Sequence, residues 1–248
     1  MGKIGWMGAG MAVLFSVSAL AADPGKVVSA SKAEVERAGT KRELKAGDAI
    51  QTGDQLTTAN RGQLSWVMDD GAMAAMSGNS TMTLDGYTKP ASATSGGGRL
   101  LMSLTRGAFR AISGLVGKIG SDEYRVDTPV ATMGIRGTTY SAAWCQDDCS
   151  EASRGAAGTL ANGLYVLVED GVVEIVNPAG RLRVNAGQRA YVASLNDAPV
   201  LIKFEPQVFL ELEQIMSARL RLFEGLPVGS LIQIEIDVEP PASPSSPP

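Results

Sequence analysis

The stretch DTPVATMGIRGTTYSAAWCQDDC, Asp127 to Cys149, decides how this chain is read. Pro129 pushes Thr128 toward extended geometry, and PVATM then gives the apolar pattern of a buried strand, broken at Gly134. Gly134 and Gly137 bracket Ile135-Arg136, where a bulge or corner lets the chain turn while Ile135 stays inside and Thr138 follows. At such a corner Arg136 is held by a carboxylate or by carbonyls, which suits guanidinium geometry. The alternative is an exposed, anion-binding Arg136 beside glycine amides. The structural role is preferred, because glycines that flank a strand usually answer a backbone constraint.

Outward from this stretch, short apolar-alternating runs recur between turn signals from Val27 to Ser194. They include QLSWVM from Gln63, AFRAI from Ala108, LYVLV from Leu164, VVEIV from Val172 and RLRV from Arg181. Dipeptides such as Asp70-Gly71, Asn162-Gly163 and Asp170-Gly171 separate them and suit tight hairpins, whose central residues need positive φ. The fold class is therefore all-β, a β-solenoid-like or two-sheet β-sandwich-like domain over residues 22–200. Two segments rich in Gly, Ser and Ala, 88–99 and 145–163, are longer than hairpins need and are candidates for flexibility or contact.

The pattern then changes. Phe209, Leu212, Met216, Leu220 and Phe223 are spaced by three and four, which predicts one amphipathic helix within 201–226, starting after Pro206. Residues 227–240 hold LIQIEIDVE, Leu231 to Glu239, a strictly alternating strand that must pair with a sheet edge, its own or a partner's. The Pro/Ser tail 241–248 is expected to be disordered.

Residues 1–21 read as a signal peptide: Lys3, an apolar run from Trp6 to Leu20, and the small-x-small signal Ala19-Leu20-Ala21. The run falls short of the roughly 20 residues that span a bilayer, so a mature form that does not span the membrane is expected, in the periplasm. Of 22 basic residues the leader removes one, leaving 21 against 26 acids, a net charge of −5. That balance argues against nucleic acid as a partner. Export also favours a disulfide between Cys145 and Cys149, clasping a short loop, over a free or metal-bound pair.

Chemistry has few footholds. With no histidine in the chain, serine-histidine and cysteine-histidine catalysis are excluded, as are the commonest zinc ligands. No phosphate-cradling or dinucleotide-binding glycine motif occurs. Asp69-Asp70 and Asp147-Asp148 could serve general acid/base work or calcium, but both lie where turns favour aspartate. No catalytic, metal or cofactor residue is assigned.

The central segment TPVATMGIRGTTY, Thr128 to Tyr140, resembles the hallmark of FecR-type domains, the periplasmic iron-dicitrate sensor family, with its T-P-x-A-x-x-G-x-R-G-T core. Leu44–Leu84 is similar to that family's opening portion and Gly163–Val192 to its closing strands. The resemblance covers about Val27 to Val192 and marks Thr128, Pro129, Gly134, Arg136, Gly137 and Thr138 as the structural motif. It implies a non-enzymatic, all-β, solenoid-like periplasmic domain. The chain is then read as a module that binds a periplasmic or outer-membrane protein, in envelope sensing or signalling. Sigma-factor regulation is not carried over, because no cytoplasmic segment and transmembrane helix are evident. The rival readings are a sensor for ferric chelates or envelope glycans, marked by an exposed Arg136, and a carbohydrate-active enzyme using Asp69 or Asp148, marked by a cleft with two nearby carboxyls.

Overall fold

The computed structural model of the chain describes residues 23–92, 97–120, 122–152 and 155–223. The leader, the alternating segment 231–239 and the tail lie outside these residues, as do parts of the two long loops. The first strands are β1 (Gly25–Arg37), β2 (Thr40–Glu43), β3 (Ala49–Ile50), β4 (Gln55–Met68), β5 (Met73–Met76), β6 (Thr81–Thr88) and β7 (Arg99–Ile112). A short helix α1 (Leu115–Ile119) precedes β8 (Tyr124–Asp127), β9 (Thr132–Cys145), β10 (Ser150–Glu151) and β11 (Gly155–Thr159). The last elements are β12 (Gly163–Asn177), β13 (Gly180–Asn185), β14 (Arg189–Val192), β15 (Val200–Ile202) and α2 (Val208–Phe223). The architecture is all-β with a C-terminal helix, as the alternation predicts.

Strand pairing divides this sheet into two layers, because each long strand gives its two halves to different neighbours. The first layer runs β3, the N-terminal half of β1, the C-terminal half of β4, β5, the C-terminal halves of β7 and β9, the N-terminal half of β12, β14 and β15. The second runs β2, the other halves of β1 and β4, β6, the N-terminal half of β7, β8, the N-terminal half of β9, the C-terminal half of β12, and β13. All these pairings are antiparallel except β7 with β8.

The crossings sit at left-handed residues: Lys32 in β1, Arg61 in β4, Gly107 in β7, Gly137 in β9 and Gly171 in β12. The buried positions show what they do. In β9 Met133 and Ile135 are inside before the bend and Tyr140 and Ala142 after it, so the buried parity changes from odd to even. β7 switches the other way, from Leu100, Met102 and Leu104 to Phe109 and Ala111, and β12 from Leu164, Val166 and Val168 to Val173 and Ile175. One extra residue at a bulge produces this flip, and it keeps an apolar face inward as the strand changes layer. Both layers meet in one core that includes Val35, Trp66, Met82, Phe109, Tyr140 and Val173.

Two expectations change here. Asp170-Gly171 is a bend inside β12, because Asp170 still pairs with Thr139, where the sequence predicts a hairpin turn. α1 was not foreseen, since five residues are too few to display a helical period. α2 matches the predicted helix. It lies on the outer face of the first layer, over β9, β7, β5 and β4, with Phe209, Leu212 and Met216 buried.

Candidate functional site: the motif, the clasp and the apolar edge

The motif is used up locally. Thr128 forms the β8–β9 turn: its hydroxyl donates to the Ala131 carbonyl at 2.7 Å and accepts the Ala131 N–H at 3.1 Å, while Pro129 is exposed at the tip. Ile135 is fully buried and Arg136 points out. Gly137 takes φ 57°, a conformation that side chains resist, although a Cβ there would meet nothing within 4 Å. Gly134 has no left-handed backbone, so the constraint expected at both glycines exists at Gly137 alone. Thr138 locks the corner. Its N–H donates to Ser113 Oγ at 2.8 Å, and its hydroxyl donates to the Val172 carbonyl at 2.9 Å, tying β9 to β12 and to the end of β7. Arg136 has neither the carboxylate nor the carbonyl partner expected of a corner arginine among the described residues.

The aspartate pairs separate. Asp70 is buried in the β4–β5 turn, its carboxylate accepting the N–H groups of Ala72 at 3.1 Å and Val116 at 3.0 Å. Asp148 is exposed and accepts the Gln146 N–H at 2.9 Å. The strand register puts these turns at opposite ends of the first layer, since Val67 and Thr139 lie at one end and Gly107 and Trp144 at the other. Asp69 and Asp148 therefore share no cleft, and no group of metal-ligating side chains forms among the described residues.

Cys145 and Cys149 are bonded, their Cα atoms 5.5 Å apart. The clasp organises the loop that the sequence left open. Gln207 N–H donates to the Ser150 carbonyl and Ala152 N–H to the Glu205 carbonyl, at 2.8 and 2.9 Å, and Leu160 N–H donates back to Cys149. The loop thereby holds the start of α2. Beneath it a second apolar cluster forms from Ala108, Ala143, Cys145, Tyr165, Phe209 and Leu212 on the outer face of the first layer. Tyr165 and Tyr191 stack there with centroids 4.8 Å apart, and burial pushes the Tyr165 hydroxyl up to about 12.

Two features were missed in the sequence. Arg110 is buried on the same outer face and donates from Nη2 to Glu169 at 2.6 Å; burial pulls its pKa down, with the charge of Glu213 on α2 opposing. The other is the edge at β15. The exposed large apolar side chains of the described residues are Leu195, Val200, Leu201, Phe204 and Leu210, all within one short segment. Among the described residues β15 pairs with β14 alone, so this apolar segment borders a sheet edge that is open there. The signal was present in APVLIKF, which combines an apolar run with no alternation.

Residues 54–174 match the family model described as FecR protein, and this part of the chain is a FecR domain. Two crystal structures of a proposed anti-sigma factor from Parabacteroides distasonis ATCC 8503 are similar, at 14% identity with TM-scores of 0.41 and 0.42. Each alignment covers 60% of this chain and 59% of that protein, so the chain spans less than two thirds of the relative's length. No curated protein sequence matches the chain. No helix among the described residues is long and apolar enough to cross a membrane.

Proposed function

We propose that the chain is a non-enzymatic FecR-domain module that binds another protein of the cell envelope in sensing or signalling, exported to the periplasm by its leader. The apolar β15 edge carries this reading. Val200 and Leu201 are each 49% exposed and Phe204 39%, beside a strand whose outer hydrogen-bonding side is free among the described residues. Exposed apolar side chains clustered at an open edge mark a contact surface. The carboxyls scattered over separate turns favour binding over the carbohydrate-active reading.

Photo-crosslinking from position 201 in native cells tests it. A discrete envelope-protein adduct that disappears when Phe204→Asp is added supports the reading; labelling no different from that at exposed Lys41 overturns it. A second reading, a sensor for ferric chelates or envelope glycans, is favoured by one observation, the unpaired and exposed Arg136. Calorimetric titration with ferric dicitrate would give saturable heat that Arg136→Ala removes; absence of heat with the parent protein sinks it.

A further inference from the structure

The two layers end in four edges, and these differ in what they can accept. β2 is exposed throughout and carries Lys41, Arg42 and Glu43, a charged edge that discourages pairing. β3 is two residues long, and β15 has three residues with apolar side chains on both faces. β13 is different. Among the described residues its six residues pair only with β12, and they alternate exposed Arg181 and Arg183 with inward Leu182 and Val184. Val184 is fully buried, and half-buried Leu182 packs on the main core, so the second layer ends in an apolar rim with a basic outer face. Arg181 leans on Glu174 of the same sheet at 3.4 Å, and Arg183 has no acidic partner among the described residues.

One segment of the chain has the reciprocal pattern. Leu231–Glu239 alternates strictly, so that an extended strand of it would carry Ile232, Ile234, Ile236 and Val238 on one face and Gln233, Glu235, Asp237 and Glu239 on the other. Laid along β13, it would continue the Leu182–Val184 row with isoleucines and set carboxylates beside Arg181 and Arg183, the opposite-charge and apolar cross-strand pairs that stabilise a sheet. We propose that β13 receives residues 231–239 of a second copy of this chain, and that two copies exchange these strands about a two-fold axis.

The tether selects the second copy. α2 starts above Tyr165 and Cys145 and runs away from β13 across β7, β5 and β4. Its sixteen residues are about 24 Å long at 1.5 Å each. The eight steps from Phe223 to Leu231 reach about 27 Å at most, at full extension. The chain's own β13 lies a helix length back and two layers down at about 10 Å per layer, roughly 30 Å in a straight line and farther around the surface. The second copy's β13 has no such restriction.

Sedimentation equilibrium of the full exported chain tests the proposal. The parent is expected to dimerise, more weakly as salt rises because the paired charges are exposed. Arg181→Glu with Arg183→Glu, and separately Glu235→Arg with Asp237→Arg, should each raise the dimer dissociation constant at least tenfold. Combining all four should restore it to within threefold of the parent. A parent that is monomeric at every concentration overturns the proposal, as does a four-residue swap that fails to restore association. Charge-reversed variants that dimerise normally but melt lower would place the strand on its own chain and also overturn it. Phe204→Asp should leave the dimer unchanged, so loss of the envelope partner and loss of self-association are read separately.

Discussion

The first layer has two faces built from alternate residues of the same strands, and they are stabilised by different means. Inward, Leu64, Met76, Phe109, Tyr140 and Leu164 fill the space between layers with large side chains. The Phe109 and Tyr140 rings meet edge-on at 5.5 Å, and the Tyr140 hydroxyl donates to that of Tyr124 at 3.0 Å. Outward, the neighbouring positions are Ser65, Ala75, Ala108, Arg110, Ser141 and Ala143. Small side chains flatten this face so that a helix can lie close, and the bulk comes from Phe209, Leu212 and Met216 of α2. The inner face is complete once the strands bend. The outer face depends on a helix supplied from beyond the sheet and on the clasp that holds its start.

If this contrast is right, damage to the two faces should propagate differently. Tyr140→Ala removes a fully buried ring from the inner face and is expected to cost about 3–5 kcal/mol in a single cooperative denaturant transition. Replacing both Cys145 and Cys149 with serine should cost less, about 2 kcal/mol for so short a closed loop. Hydrogen exchange should then quicken first in residues 146–152 and in α2, with β7 and β9 still protected. Equal loss of protection in the sheet would mean that the two faces form one cooperative unit.

Alkaline titration separates the faces by chemistry. Burial raises the hydroxyl pKa of both Tyr124 and Tyr140, and that of outer-face Tyr165 to about 12. A tyrosine whose folded pKa exceeds its unfolded value of about 10 keeps its proton in the native state, so stability is full below pH 10 and falls as pH rises above it. The slope is at most about 1.4 kcal/mol per pH unit for each such group. Melting temperature measured from pH 9 to 11 should fall, and Tyr124→Phe should flatten the fall. A Tyr124→Phe curve identical to the parent's would remove Tyr124 as its cause.

How legible all this was depends on where the information lies along the chain. The strands, α2 and the short disulfide were readable because alternation, a helical period and a four-residue cysteine spacing are local signals. The motif's corner was readable from Ile135, Gly137 and Thr138. The left-handed constraint at Gly137 looked the same in sequence as the ordinary backbone at Gly134. Asp170-Gly171 misled for a related reason. Positive φ serves a bulge as well as a hairpin, and the local sequence does not say which; the shift in buried parity from Val168 to Val173 was the available discriminator. The apolar run at β15 was present in the sequence, but its place at an open sheet edge was not, because openness is a property of what fails to pair with a strand. Nor were the partners of Arg110, since Glu169 stands two strands away in the sheet.

Arg110 gives the smallest effect and the sharpest test of the outer face. Its side chain is 9% exposed and its Nε has no hydrogen-bond partner among the described residues, whereas the side chain of Glu169 is 35% exposed. The pair is thus lopsided, with the arginine bearing most of the desolvation. Arg110→Met keeps the length and packing of the stem, removes the unpaired donor and leaves Glu169 in reach of water, so stability should change by less than about 1 kcal/mol in either direction. Glu169→Ala should be the more damaging change, because it strands a buried guanidinium without its carboxylate. Denaturant midpoints of the two variants decide the matter: an Arg110→Met loss larger than that of Glu169→Ala would mean that the ion pair, and not the small-residue surface beneath α2, holds the outer face together.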